Sequence, residues 1–331
     1  MLRLVFQLYL SNLRIAIMKI LKETDNIQIK NSIVTLGKFD GNHIGHQRLF
    51  ETAVSLKKPE NTVIIFTFNV PPATVLKGDE QDAVRTILTH DERQLESYPE
   101  GVDLVIEFPF NEKTRSMSPE EFVEEILIRK LDVKKIVVGK DFCFGKNRSG
   151  NVETLKRLGI EKGFDVYPVE KVRCSLKDCD GLQEVSSSLI KKEILKGNLE
   201  DVSKMLGRPF SMTSEVVHGK HLGRKLGFPT INFLVPEDKI MPPNGVYAVR
   251  VHLDGKDLPA ICNVGVRPTF DDGTARTVET NIFDFNQDLY GRTLRIDFYQ
   301  FIRPEKKFDS PEELSAEVAR NIDQVREFFN L

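Results

Sequence analysis

Tryptophan is absent from the 331 residues, and cysteine occurs only four times, at Cys143, Cys174, Cys179 and Cys262. No two cysteines are spaced as C-x-x-C. Four thiols in a chain of this length are too few for a disulfide framework, so they read as reduced cysteines of a cytosolic protein. An excess of charge is missing as well: 47 Lys+Arg against 49 Asp+Glu leave a net charge of −2. That balance excludes a chain-wide electrostatic footprint for nucleic acid, while a local phosphate pocket stays compatible with it. No apolar run reaches the ~18–20 residues of a spanning helix. The opening MLRLVFQLYLSNLRIAIMKI is apolar and free of acids, but Gln7, Ser11, Asn12 and Arg14 interrupt it and no A-x-A-like site follows. Residues 1–17 are therefore expected to be a disordered extension, with Met18 as a second start, rather than a targeting segment.

A composition of 40% hydrophobic and 29% charged residues is that of a globular chain, and the length favours two domains. Up to residue 185 strands and helices alternate. Residues 32–36 (SIVTL), 62–68 (TVIIFTF), 103–108, 135–139 and 165–169 read as strands. Helices are expected at 47–57, at 152–159, and after Ser118-Pro119-Glu120-Glu121, a capping box with proline at the first helical position. That alternation implies a parallel sheet covered on both faces. Residues 186–196 and 198–206 read as two more helices. Beyond Gly207-Arg208-Pro209, short strand-like runs dominate and Asp254-Gly255 marks a tight turn, which suggests an antiparallel barrel or sandwich. Ser310-Pro311-Glu312-Glu313 is a second capping box that opens a last helix, with Leu314, Val318, Ile322, Val325 and Phe329 as its apolar stripe.

The segment Gly37-Lys38-Phe39-Asp40-Gly41-Asn42-His43-Ile44-Gly45-His46 joins the first strand to the first helix. Free N–H groups and the macrodipole make such a helix start a phosphate site. Gly41 and Gly45 let backbone approach a ligand. His43 and His46, three apart, can both face one phosphate, and imidazolium donors there would stabilise charge on a phosphoryl centre. H-x-x-H alone is weak evidence, since His218-Gly219-Lys220-His221 repeats it away from any strand-to-helix junction. The setting gives the first one its weight. Two histidines without a third ligand do not make a metal site. Ser187 and Ser188, with Lys191 one turn on, form either a second phosphate clamp or a plain helix cap with a solvated lysine.

In the second half, Gly219, Gly223 and Gly227 outline a flexible flap, with Lys220, Arg224 and Lys225 supplying positive charge. Pro229-Thr230-Ile231-Asn232 follows. Thr230 and Asn232 are two apart on an extended run, so both face one side. A hydroxyl and an amide oxygen suit a hard cation such as Mg²⁺ bridging phosphates. A glycine-rich turn into a strand is the plainer alternative.

GKFDGNHIGH, VVGKDFCFGKNRSG and VSSSLIK together resemble the nucleotidyltransferase half of prokaryotic bifunctional riboflavin kinase/FMN adenylyltransferases, the FAD synthetase family. HGKHLGRKLGFPTIN, NVGVRPTF and VETNIFDF, ending in Leu289-Tyr290-Gly291, resemble its kinase half. The likeness spans residues 18–331. It implies a Rossmann-like α/β nucleotidyltransferase domain over 18–185, a helical connector over 186–207, and an antiparallel β-barrel kinase domain with a C-terminal helix over 208–331. It also implies ATP, riboflavin and FMN as ligands, with Mg²⁺ and with neither nucleic acid nor membrane as partner. On this resemblance His43 and His46 are catalytic. Gly37, Phe39, Asp40, Gly41, Gly45, Ser187, Ser188 and Lys191 bind ATP phosphates, as do Gly219, Gly223, Gly227 and Pro229. Asp141 and Phe142, with Gly139 and Gly145, line the nucleotide or flavin site. Glu279 is the general base, and Thr230 and Asn232 are the metal ligands. Arg303 and Phe308, near Lys307 and the last helix, flank the flavin. Lys191 stands where the family usually has Arg, Pro71 where it often has His, and Asn281 where it often has His. The first two motivate an alternative, a riboflavin kinase with an inactive first domain.

Overall fold

The computed structural model describes residues 19–21, 27–69, 85–96, 98–219, 228–268 and 274–331. Residues 1–17, Pro71, Gly223 and Gly227 lie outside them, as do Lys220, His221, Arg224 and Lys225. The chain divides into two compact units. One comprises Met1–Val84 and Arg93–Val172, and the other Arg85–Glu92 and Arg173–Leu331.

In the first unit β1 (Lys19–Leu21), β2 (Ser32–Leu36), β3 (Thr62–Phe68), β4 (Leu104–Phe108), β5 (Val133–Gly139) and β8 (Asp165–Val169) form one sheet. Between β5 and β8 lies a small hairpin of β6 (Cys143–Phe144) and β7 (Gly150–Asn151). The strand order is β1-β4-β3-β2-β5-β8, and every pair is parallel. Each residue of β2 and β4 is buried, because both faces of a parallel sheet are covered. On one face Leu49, Phe50 and Ala53 of the helix Ile44–Ser55 pack with Ile33, Val63, Ile65, Val105 and Val137. On the other, Phe122, Ile126, Leu155 and Leu158 pack on Val34, Ile64, Ile106 and Val138.

The Ser118–Glu121 capping box is formed on both sides, as expected. The helix it opens runs as α only over Pro119–Phe122 and widens to π turns over Val123–Ile128. Helices His90–Leu95 and Glu112–Ser116 have no counterpart in the sequence reading. At five or six residues they are too short to show a periodicity.

The second unit carries a hairpin of β9 (Arg173–Ser175) and β10 (Leu182–Glu184), then helices Ser187–Lys196 and Leu199–Leu206. β11 (Phe210–Val217), β12 (Ile231–Leu234), β13 (Gly245–Leu253), β14 (Lys256–Pro268), β15 (Thr274–Ile282) and β16 (Thr293–Pro304) follow. They close a barrel in the order β11-β12-β15-β14-β13-β16, which decides between barrel and sandwich. Asp254 (φ +51) and Gly255 (φ +77) turn β13 into β14; both left-handed angles match the twist of the hairpin. Tyr247, Phe210, Phe233 and Phe298 are fully buried. The helix Pro311–Phe328 lays Val325 and Ile322, with Phe329 at its cap, on Val246, Ala248, Ile261 and Phe283.

On the barrel, His252 lies between two carboxylates, with Nε2 2.7 Å from Asp297 and Nδ1 2.6 Å from Asp257. Arg295 holds the other oxygen of Asp297 at 2.8 Å. The hydrogen bond to Asp297 raises the His252 pKa above its usual 6.5, against partial burial. A raised folded-state pKa gives stability that is complete below the unfolded pKa and is lost as pH climbs through the folded one. The Tm difference between the wild type and His252→Gln is therefore expected to be largest below about pH 6.5 and to shrink toward alkaline pH. A difference independent of pH would refute the linkage.

Candidate active sites

The sheet of the first unit grows in opposite directions from β2 and β5: β3, β4 and β1 lie beyond β2, and β8 beyond β5. Ligands of such sheets bind outside the carboxyl ends of the strands at that reversal. Residues 37–46 leave β2 there and residues 140–142 leave β5, so topology brings these two sequence motifs side by side. Gly37 donates its N–H to the Phe66 carbonyl at 3.2 Å. A Cβ on Gly37 would lie 2.6 Å from the Phe39 ring. Phe39 (φ +47), Gly41 (φ +88) and Asn42 (φ +44) fold the loop back. Asn42 donates to Glu96 at 3.3 Å, and its carbonyl accepts from Gln47 at 3.1 Å. Asp40 is half-buried on the same loop.

His43 is the N-cap of Ile44–Ser55, and Gly45 lies in that helix's first turn. The His43 Nδ1 accepts the His46 backbone N–H at 3.3 Å. A nitrogen that accepts does not carry the proton, so neutral His43 presents Nε2–H. The two imidazoles stack, centroids 3.5 Å apart, and Phe39 meets His46 edge-on at 5.2 Å. Burial, then the neighbouring His43, hold His46 well below the usual histidine range. This runs against the expectation of two imidazolium donors: His46 is neutral at pH 7. Its Nδ1 is buried without a hydrogen-bond partner.

At the end of β5, exposed Asp141 pairs with Lys171 at 3.2 Å. Phe142 is half-buried and stacks on Phe144 at 5.7 Å, so one of its faces belongs to the core. Gly145 (φ +72) packs against Pro119, where any Cβ would collide. Ser187, Ser188 and Lys191 fall in the second unit. There Ser186 takes the cap by accepting from Leu189 at 3.2 Å, which places Ser187 and Ser188 in the first turn.

In the barrel, register settles the geometry. Asn232 of β12 stands opposite Glu279 of β15, which stands opposite Asn263 of β14. Residues opposite one another share a face, about 4.5–5.5 Å apart at Cβ. Thr230 precedes β12 and lines a cleft of about 400 Å³ with Pro229, Ile231, Thr280, Ile282 and the loop 285–290. Asn281 donates to the Pro229 carbonyl at 2.7 Å, fastening that segment. His218 stacks on Tyr290 at 3.9 Å. Thr230, Asn232 and Glu279 offer only oxygen donors, the chemistry Mg²⁺ selects. Among the described residues no group of three His, Cys, Asp or Glu could hold a metal. Arg303 bonds Asn321 at 2.8 Å and lies 5.6 Å from the Phe308 ring, which ties both to the last helix. Asn263 and Glu96 were not singled out from the sequence, although Asn263 lies inside NVGVRPTF; of the cleft loop, Phe285, Leu289 and Tyr290 lie in segments that carry the resemblance.

A parallel nucleotide-type sheet with a histidine loop at its reversal, and a closed barrel presenting a carboxylate beside oxygen donors, define a transferase with two units. Residues 25–188 match the FAD synthetase family model and residues 206–329 the riboflavin kinase model. A bifunctional riboflavin kinase/FMN adenylyltransferase of Buchnera aphidicola from Schizaphis graminum is 34% identical over 95% of this chain and 100% of its own. Those of Escherichia coli K12 (35%, over 90% and 93%) and Bacillus subtilis (33%, over 91% and 93%) are similar. A Streptococcus pneumoniae structure described as a macrolide-efflux protein superposes with a TM-score of 0.81 at 34% identity, covering 94% of this chain and 99% of that one. Among the described residues no helix is long and apolar enough to cross a membrane. The chain belongs to the bifunctional riboflavin kinase/FMN adenylyltransferase family.

A Cβ on Gly219 would lie 2.3 Å from Nδ2 and 2.6 Å from Cγ of buried Asn232. Gly219→Ala is expected to displace that amide and lower riboflavin phosphorylation by on the order of 10–100-fold, with FMN adenylylation kept. Steady-state assays of both reactions check it, and an unchanged kinase would mean the amide moves freely.

Proposed function

We propose that the second unit phosphorylates riboflavin and the first adenylylates the resulting FMN. In the first reaction the riboflavin 5′-hydroxyl attacks the γ-phosphorus of ATP, the bond to the ADP oxygen breaks, and Glu279 takes the hydroxyl proton. Thr230 and Asn232 would hold Mg²⁺, which when bound neutralises polyphosphate charge. Gly219, Gly223, Gly227 and Pro229 cover the phosphates. Arg303 and Phe308 flank the flavin.

In the second reaction a phosphate oxygen of FMN attacks the α-phosphorus of another ATP and pyrophosphate leaves. Gly37, Phe39, Asp40, Gly41 and Gly45 form the phosphate loop, and His43 and His46 donate N–H to charge that grows in flight. Asp141 and Phe142 border the flavin. The placement of residues 37–46 and 140–142 at one sheet reversal supports this assignment. The four free thiols support a reducing compartment such as the cytoplasm.

The observation that carries the kinase assignment is the register of Asn232 against Glu279. Purified protein with riboflavin, ATP and Mg²⁺ should yield FMN and FAD by chromatography. Glu279→Gln should abolish FMN formation and leave FMN-to-FAD conversion intact, since the amide cannot accept the proton. His43→Ala and His46→Ala should do the reverse, each lowering FAD formation by about 10²–10³. His218→Ala, on the barrel, serves as the control for adenylyl transfer. Near-normal kinase turnover in Glu279→Gln would overturn the base assignment.

A further inference from the structure

Arg85–Glu92 lies in sequence between β3 and β4, inside the region that matches FAD synthetases, yet it belongs to the barrel unit. Its bonds explain this. Thr86 donates its N–H to the Asp238 carbonyl at 2.6 Å and accepts from the Ile240 N–H at 3.0 Å. Lys239, between them, extends inward over the Phe210 ring at 4.9 Å. Its Nζ donates to the Ile87 carbonyl at 2.7 Å and to Glu92 Oε2 at 2.6 Å. Glu92 Oε1 accepts the Thr213 N–H of β11 at 2.8 Å. The Thr89 N–H reaches Oε2 at 2.9 Å, and Thr89 Oγ1 accepts from the Glu92 N–H at 3.2 Å. Both charged groups are almost wholly buried.

The segment clamped this way, residues 235–240, leaves β12 directly. β12 has four residues and is the shortest barrel strand among those described. It pairs with β11 at only two register positions, Val216↔Phe233 and Val217↔Asn232. Its other edge pairs with β15 at all four positions, so β12 is held mainly from one side, and it carries Asn232 opposite Glu279.

We propose that Arg85–Glu92 is a working part of the kinase site. It is a strap that holds the exit of β12 through Glu92 and Lys239, and Glu92 is a positioning residue for Asn232. This rests on the assignment of Asn232 and Glu279 to the kinase reaction. The clamp touches no substrate, so loosening it weakens the hold on MgATP more than it slows the chemical step.

The test uses the full chain. Glu92→Gln leaves Lys239 buried without its counter-charge. It is expected to lower the Tm of the barrel unit by roughly 10 °C, to speed amide hydrogen exchange at residues 231–234 while β13 and β16 keep their protection, and to raise the KM for MgATP about tenfold with kcat within about threefold. Adenylylation of FMN stays at the wild-type rate. The double variant Glu92→Gln/Lys239→Met removes the stranded charge and keeps an oxygen for the Thr213 N–H, so exchange and KM return toward wild type. A lower Tm with unchanged exchange at 231–234 and unchanged KM would overturn the proposal, because the strap would then be structural only. An equal fall in FMN adenylylation would overturn it too, by pointing to general unfolding. Glu279→Gln run alongside separates the two levels: if it still makes FMN, the site assignment has failed, whereas the exchange data judge the strap by themselves.

Discussion

The barrel closes through β12, a strand of four residues between β11 and β15. Without it the sheet would have two open edges, and Asn232 would not face Glu279. A shift of one residue in this pairing would send both side chains to the opposite face. On the proposed assignment the kinase chemistry depends on this register, which four pairs with β15 set and which the Asn281 bond to Pro229 at one end and the buried Lys239–Glu92 pair at the other would hold.

In the first unit the equivalent constraint is charge. Stacked imidazoles repel when both are protonated, and burial disfavours the cation further, so His46 is held neutral. A neutral His46 offers an N–H group rather than a second cation beside His43. In the proposed adenylyl transfer, hydrogen bonding from N–H groups already oriented would favour the transition state over the ground state. That ordering is harder to obtain from two cations, which would bind ground-state ATP strongly as well.

Much of the architecture was legible in the sequence because it rests on local signals. SIVTL and TVIIFTF are buried β-branched runs, and both strands fall where the runs do. The capping box at Ser118 forms as read, whereas at Ser310 only the N-cap half of the second box forms, because the Glu313 carboxylate accepts the Asp309 N–H instead. The histidine loop stood out in the sequence through its strand-to-helix setting. Its protonation was not, because stacking and burial are tertiary properties. The π widening of Val123–Ile128 leaves no mark in a pattern that still buries Val123, Ile126 and Leu127. Glu92 and Lys239 stayed invisible for a different reason. Each looks like an ordinary surface charge, and only the fold brings residues 147 positions apart to 2.6 Å.

That separation bears on how the chain is made. During synthesis Arg85–Glu92 leaves the ribosome early, when the strands around it can already pair, while Lys239 and the rest of the barrel do not yet exist. Domains generally fold in the order in which they emerge, but here one segment has to stay unclaimed until most of the polypeptide is finished. A carboxylate is well suited to that wait, since water solvates Glu92 until a lysine arrives to replace it.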